Sequence, residues 1–124
     1  MTNIIKLYPE YYLPVITGKK RSTIRKGLKN YRLGDATLDF DDRVLEIYIT
    51  ALISKLYGLL DTEDAIEDGF ESLGDLQSII KSIYPDIDDS NEMTIVFFRL
   101  RNEEYLPFCS YSKSKLVVEE EEVA

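Results

Sequence analysis

The run RVLEIYITALISKLY at 43–57 commits this chain to a β-sheet. It is dense in Val, Ile, Leu, Tyr and Thr, whose branched or aromatic side chains suit a pleated, half-buried surface. Leu45, Ile47, Ile49, Ala51 and Ile53 recur at every second residue, which predicts one long strand with those side chains on its core face. A second run, MTIVFFRLR at 93–101, is apolar nearly throughout and predicts a central strand. NIIKLY at 3–8, residues 22–25 and ATLDF at 36–40 supply shorter strands. Gly27, Asn30, Gly34, Asp35, Asp41 and Asp42 mark the turns between them.

Helical signals are brief. PEYYLPVIT at 9–17 predicts a short helix with Pro9 in its first turn and Gly18 as its stop, weakened by Pro14. Asp61 or Thr62 caps a helix through 63–68, which Gly69 ends in a left-handed conformation. Ser72 and Asp75 resemble a capping box for a better helix, in which Leu73, Leu76, Ile80 and Ile83 recur at helical spacing before Pro85 closes it. Strands interrupted by short helices imply an α+β domain on a small, mixed or closed sheet. A parallel doubly wound fold would need long crossover helices after each strand. The glycine-rich phosphate loops GxGxxG and GxxxxGKS/T are both absent.

A chain of 124 residues buries one core, not two. Residues 102–118 either add a strand or wrap the surface, and EEEE at 119–122 reads as solvated and mobile. No apolar run approaches the roughly 20 residues that span a bilayer, so no membrane partner is expected. The first residues lack the pattern of a secretory signal, and the expected compartment is cytoplasmic.

There is no histidine and Cys109 is the one cysteine, which removes Ser-His and Cys-His nucleophiles and a typical zinc site. No metal and no cofactor is expected. DIDDSNEMTIVF, from Asp86, begins like a calcium loop, but Asn91 replaces the required glycine and Phe97 the bidentate glutamate; it reads as a polar turn. Chemistry must come from Lys, Asp, Glu, Ser, Thr or Tyr.

The formal net charge is −8, yet TGKKRSTIRKGLKNYR at 17–32 holds seven of the fifteen basic residues: Lys19, Lys20, Arg21, Arg25, Lys26, Lys29 and Arg32. No acid lies between Glu10 and Asp35, so the segment should keep a positive field at short range. Tyr31, with Tyr8, Tyr11 and Tyr12, offers flat faces for a stacked base. The plain alternative is a solvated basic loop. If 22–25 is extended, Thr23 and Arg25 share a face while Ile24 turns to the core. Lys20, crowded by Lys19, Arg21 and Arg25, should have a lowered pKa, and a neutral Lys20 can take the Thr23 proton. Arg25 would hold a phosphate, a carboxylate or an oxyanion. Among the acids of 61–75, most of which suit helix starts or a solvated face, Asp68 stands out. A carboxylate at a helix C-terminus opposes the dipole and calls for a cation such as Lys20.

TGKKRSTIRKG, LGDATLDF, the run at 49–85 and TIVFFRL together resemble the ASCH domain of the PUA-like superfamily, over residues 4–100. Gly18, Lys20 and Arg25 match its G-x-K-x-x-E-x-R signature, with Thr23 in place of the glutamate. That variant is similar to small bacterial ASCH proteins that remove acetate from acetylated cytidine. The resemblance implies a PUA-like β-barrel of about five or six strands with short helices packed around it, spanning 1–104, and a C-terminal extension at 105–124. It implies binding of RNA or a nucleoside or nucleotide in a cleft at 18–25, with Gly18, Lys19, Arg21, Arg25 and Tyr31 contacting the ligand. Sequence-specific DNA binding is not expected. As the alternative it implies a metal-independent amidohydrolase acting on N-acetylcytidine, with Lys20 as base, Thr23 as nucleophile and Asp68, in place of a glutamate, as proton shuttle. A third reading is a regulatory protein-interaction module.

Overall fold

A computed structural model describes residues 3–101 and the backbone of residues 122–123. The order is β1 (Asn3–Leu7), a 3-10 turn (Pro9–Tyr11), α1 (Tyr12–Ile16), β2 (Ser22–Lys26), β3 (Gly34–Asp39) and β4 (Val44–Leu56). A second 3-10 turn (Tyr57–Leu59), α2 (Thr62–Glu67), α3 (Leu73–Ile83), β5 (Glu92–Leu100) and β6 (Glu122–Val123) follow.

The sheet runs β2-β5-β4-β3-β1-β6, antiparallel except that β1 lies parallel to both β3 and β6. β1 and β2 therefore stand at opposite ends of the five main strands. Even so, an Nη2 proton of Arg25 in β2 is donated to the Lys6 carbonyl of β1 at 2.6 Å. The contact exists because the sheet curls into a half-barrel that brings its two ends face to face. The mixed, curled sheet with short helices is the expected α+β barrel, and β5 is central, paired on both sides.

Two clusters of side chains hold it. Ile5, Leu7, Leu38, Phe40, Ile47, Val96 and Phe98 fill the inside of the curl, which Val15 and Ile16 of α1 close. Ile24, Met93 and Ile95, from the other face of β2 and β5, pack against Leu76 and Ile80 of α3 and Ala65 of α2. The faces alternate as strand geometry requires, so Ser22 and Ile24 point to the helices while Thr23 and Arg25 point into the barrel.

Two expectations need correction. Leu45, Ile47 and Ile49 are buried, but Ala51 is half-buried and Ile53 exposed. β3 stops pairing at Ile49, and a bulge between Ile49 and Ala51 shifts the register against β5, so the period-two pattern continues past the point where the strand changes face. Glu122, read as solvated tail, pairs with Lys6 along β1, whose outer edge offers unpaired backbone groups. The strand expected within 102–118, residues 119–121, Cys109 and the boundary at 104 lie outside the described residues. Among the described residues no helix is long and apolar enough to cross a membrane.

Candidate functional site at the end of α2

The site is built where α2 stops. Asp61 caps its start in a reciprocal capping box with Asp64. At its other end Gly69, at φ +94°, donates its N–H to Ile66 and Phe70 donates to Ala65, the paired bonds of a Schellman stop. This geometry fixes Asp68 as the last helical cap residue. The chain leading into β2 docks there, as the Arg21 N–H is donated to the Glu67 carbonyl at 2.7 Å.

Lys20 and Asp68 meet in this corner. The Lys20 ammonium pairs with Asp68 Oδ1 and donates to the Asp68 carbonyl at 3.2 Å, and both side chains are wholly buried. The cation thus satisfies a terminal helix carbonyl and offsets the negative end of the dipole. The Tyr11 ring lies 4.9 Å from the ammonium, and Phe70 meets Tyr11 edge-on at 6.4 Å. Burial first, then Glu10 and Tyr8, push the Tyr11 hydroxyl up to about 12, so it stays protonated. Asp68 Oδ2 and Ser22 Oγ are buried without a hydrogen-bond partner among the described residues.

Loss of hydration holds the Lys20 pKa well below the ordinary lysine value, and the nearby Arg25 guanidinium adds to it. Asp68 opposes this shift, but one carboxylate beside two cations does not offset complete desolvation of the amine. The expected direction is therefore right, but burial is its leading cause, and of the three neighbours expected to repel Lys20 it is Arg25 that does so. Lys19 and Arg21 take no part, because they point outward and pair with Glu71 at 3.8 Å and Glu67 at 3.5 Å. Those pairs also correct the expectation of an uncompensated basic field, since the acids come from far along the chain.

Thr23 and Arg25 are fully buried on the barrel face of β2, the side from which Arg25 acts on Lys20. A cavity of about 280 Å³ adjoins the corner, lined by Val15, Thr17, Gly18, Lys20, Arg21, Phe98, Arg99 and Leu100. Thr23, Arg25 and Tyr31 are not in its lining; Tyr31 packs against the barrel core. Tyr12 is also elsewhere, edge-on to Phe40 with the Arg43 guanidinium 4.2 Å from its ring. Reading the sequence missed Phe70, Phe98 and Arg99. Only Phe70 had a local signal, as the apolar residue following a glycine helix stop. The loop at Asp88 is the expected polar turn, closed by bonds from Ser90 to the Asp88 carboxylate. Among the described residues no cluster of side chains could hold a metal ion.

Gly69 is required twice. A Cβ there would sit 3.1 Å from Lys20 Cβ, and its φ disfavours any side chain. Gly69→Ala should lower stability by about 1–2 kcal/mol in urea unfolding. It should also displace Lys20, which the chemical shift of its ammonium would report.

No family model matches the sequence, and no curated protein does. Solved structures do match. An ASCH domain from Lactobacillus crispatus superposes with a TM-score of 0.65 at 13% identity, over 79% of each chain. An ASCH protein from Zymomonas mobilis gives 0.58 at 18% identity, over 77% of this chain and 65% of its own. An Enterococcus faecalis protein described under the family model DUF984 gives 0.59 at 12% identity, over 82% of each. The curled half-barrel is thus an architecture that these solved structures share. It is the ASCH fold, as the resemblance of the signature residues implied.

Proposed function

We propose that this chain binds a nucleoside-type ligand, free or within RNA, at the corner formed by residues 18–25 and the end of α2. The observation that carries the reading is a fully desolvated lysine–aspartate pair beside a cavity of about 280 Å³ whose apolar lining is Val15, Phe98 and Leu100. Burying two charges contributes little net stability, so their retention points to use. The cavity suits one base or nucleoside better than a length of chain. The charge-compensated state of Lys19 and Arg21 also argues against an extended polyanion track. Titrating the protein with cytidine, N-acetylcytidine and a short single-stranded RNA tests it. Affinity for the uncharged nucleosides should hardly change with salt, whereas an RNA footprint of several phosphates would weaken steeply. Absence of binding by all three would sink the proposal and favour a protein-interaction module.

Amide hydrolysis is the second reading, favoured by the lowered Lys20 pKa. Neutral Lys20 would take the Thr23 proton as Thr23 Oγ bonds to the acyl carbon. The C–N bond then breaks, the leaving amine takes that proton back, and water cleaves the acyl-threonine to release acetate. Asp68 would shuttle protons to and from Lys20, and Arg25 would stabilise the oxyanion.

A further inference from the structure

We propose that this chain pairs with a second copy of itself along the free edge of β4, strand to strand and antiparallel over residues 50–56, about a two-fold axis at Ile53. β3 begins at Gly34, opposite Ile49, so past that point β4 is paired on one side, with β5. Among the described residues its other side carries backbone N–H and C=O groups with no strand beside them. An edge of this kind is normally blunted by proline, by charge or by a covering element. The sequence TALISKL supplies no such protection. It holds no proline and no acid, and its one cation, Lys55, is already paired with Asp61 at 3.4 Å and Asp64 at 2.7 Å. Ile53 and Leu56 stay exposed along it, and Leu33, just ahead of β3, adds an exposed apolar side chain where the free stretch begins.

Two observations choose the occupant. Residues 102–121 start and finish at the other end of the sheet: Arg101 donates its N–H to the Glu46 carbonyl, and Glu122 pairs with Lys6, which lies level with Asp39 and Val44. The free stretch is the opposite end of β4. Charge then favours a like copy. Two molecules of net charge −8 repel and can meet only where acids are absent, and the chain carries none between Glu46 and Asp61. A strongly charged partner would find no complementary charge there. A two-fold axis normal to the sheet must set one residue opposite itself, and with Ile53 at that point the whole free stretch is used. Ala51 then faces Lys55 of the partner subunit and Leu52 faces Ser54 of the partner subunit, so no like charges oppose.

Sedimentation velocity across a range of protein concentrations tests it. The wild type should pass from monomer to dimer as concentration rises. Ile53→Lys sets two ammonium groups against each other at the axis and should weaken the dimer by roughly tenfold or more. Because Ile53 is exposed, the circular dichroism and unfolding midpoint should stay at wild-type values. Ser54→Asp, at a second exposed site, should act in the same direction. Register is read by oxidation in a Cys109→Ser background. Ile53→Cys should give a disulfide-linked dimer, because directly opposed Cα atoms lie about 4.5–5.5 Å apart. Ala51→Cys should not, since its two copies would sit roughly 13 Å apart along the strands. A chain that stays monomeric at every concentration overturns the inference, and slow amide exchange over 50–56 in that monomer would give the edge to residues 102–121. A dimer that both Ile53→Lys and Ser54→Asp leave intact, or cross-linking through Ala51→Cys and not Ile53→Cys, overturns it as well.

Discussion

Asp68→Ala is expected to destabilise the fold by about 3–5 kcal/mol in urea unfolding. The substitution leaves Lys20 buried with no carboxylate beside it and with Arg25 still repelling it. Water cannot replace the lost partner, since both side chains are wholly enclosed. A loss of that size is a large fraction of the roughly 5–15 kcal/mol that holds an ordinary domain together. The informative variant is the double one. Lys20→Met with Asp68→Leu removes both charges and keeps most of the volume, and replacing a whole buried pair in this way is typically neutral or stabilising by about 1–4 kcal/mol. The double variant should therefore fold at least as well as wild type while losing nucleoside binding. Folding as poor as that of Asp68→Ala alone would mean that the pair serves architecture, docking β2 onto α2, and would remove the argument from retention to use.

The same pair has a pH signature of definite sign. Folded Lys20 has a pKa well below the ordinary lysine value of 10.5, so between the two values the unfolded chain binds a proton that the folded chain does not. The contribution of this group to stability rises with pH across that window. Its full penalty is present below the folded pKa and vanishes above 10.5.

The pairing of Lys20 with Asp68 was legible because its cause is local: a glycine stop fixes a helix end, an acid at that end opposes the dipole, and one basic segment can answer it. β4 was legible for as long as β3 pairs with it. The bulge after Ile49 has no period-two mark, because it is set by where β3 runs out, and Ile53 was misplaced for that reason. The charge of Lys19 and Arg21 was misjudged on the same grounds. Glu67 lies 46 residues from Arg21, and only the docking of β2 on α2 joins them. Arg99 had no signal at all, being one of two arginines near the end of an apolar strand. Its place in the cavity lining is a property of the folded chain.

Hydrolysis of N-acetylcytidine, if the second reading holds, should run without metal and follow the protonation of Lys20. In the presence of a chelator, cytidine and acetate should accumulate in equal amounts. The free base is the working form, so the rate should rise with pH through the folded pKa of Lys20, well below 10.5, and then level off. Lys20→Ala should slow the reaction about 10²–10⁴-fold, the usual share of a positioned base. Lys20→Arg is the sharper control, because it keeps a cation for Asp68 but cannot deprotonate in the accessible range. A purely structural lysine would tolerate it and leave the pH profile where it was. Thr23→Val should remove the nucleophile while keeping its shape, and an acylated Thr23 trapped by acid quench from wild type should be missing from it. Asp68→Asn should shift the rising limb, since it withdraws the charge that favours the ammonium, and the limb should move to lower pH. A limb that moves upward, or one that stays fixed, would detach Asp68 from Lys20 in the reaction. Cytidine binding without any cytidine released from the acetylated form at high protein concentration would end the hydrolase reading and leave the binding site intact.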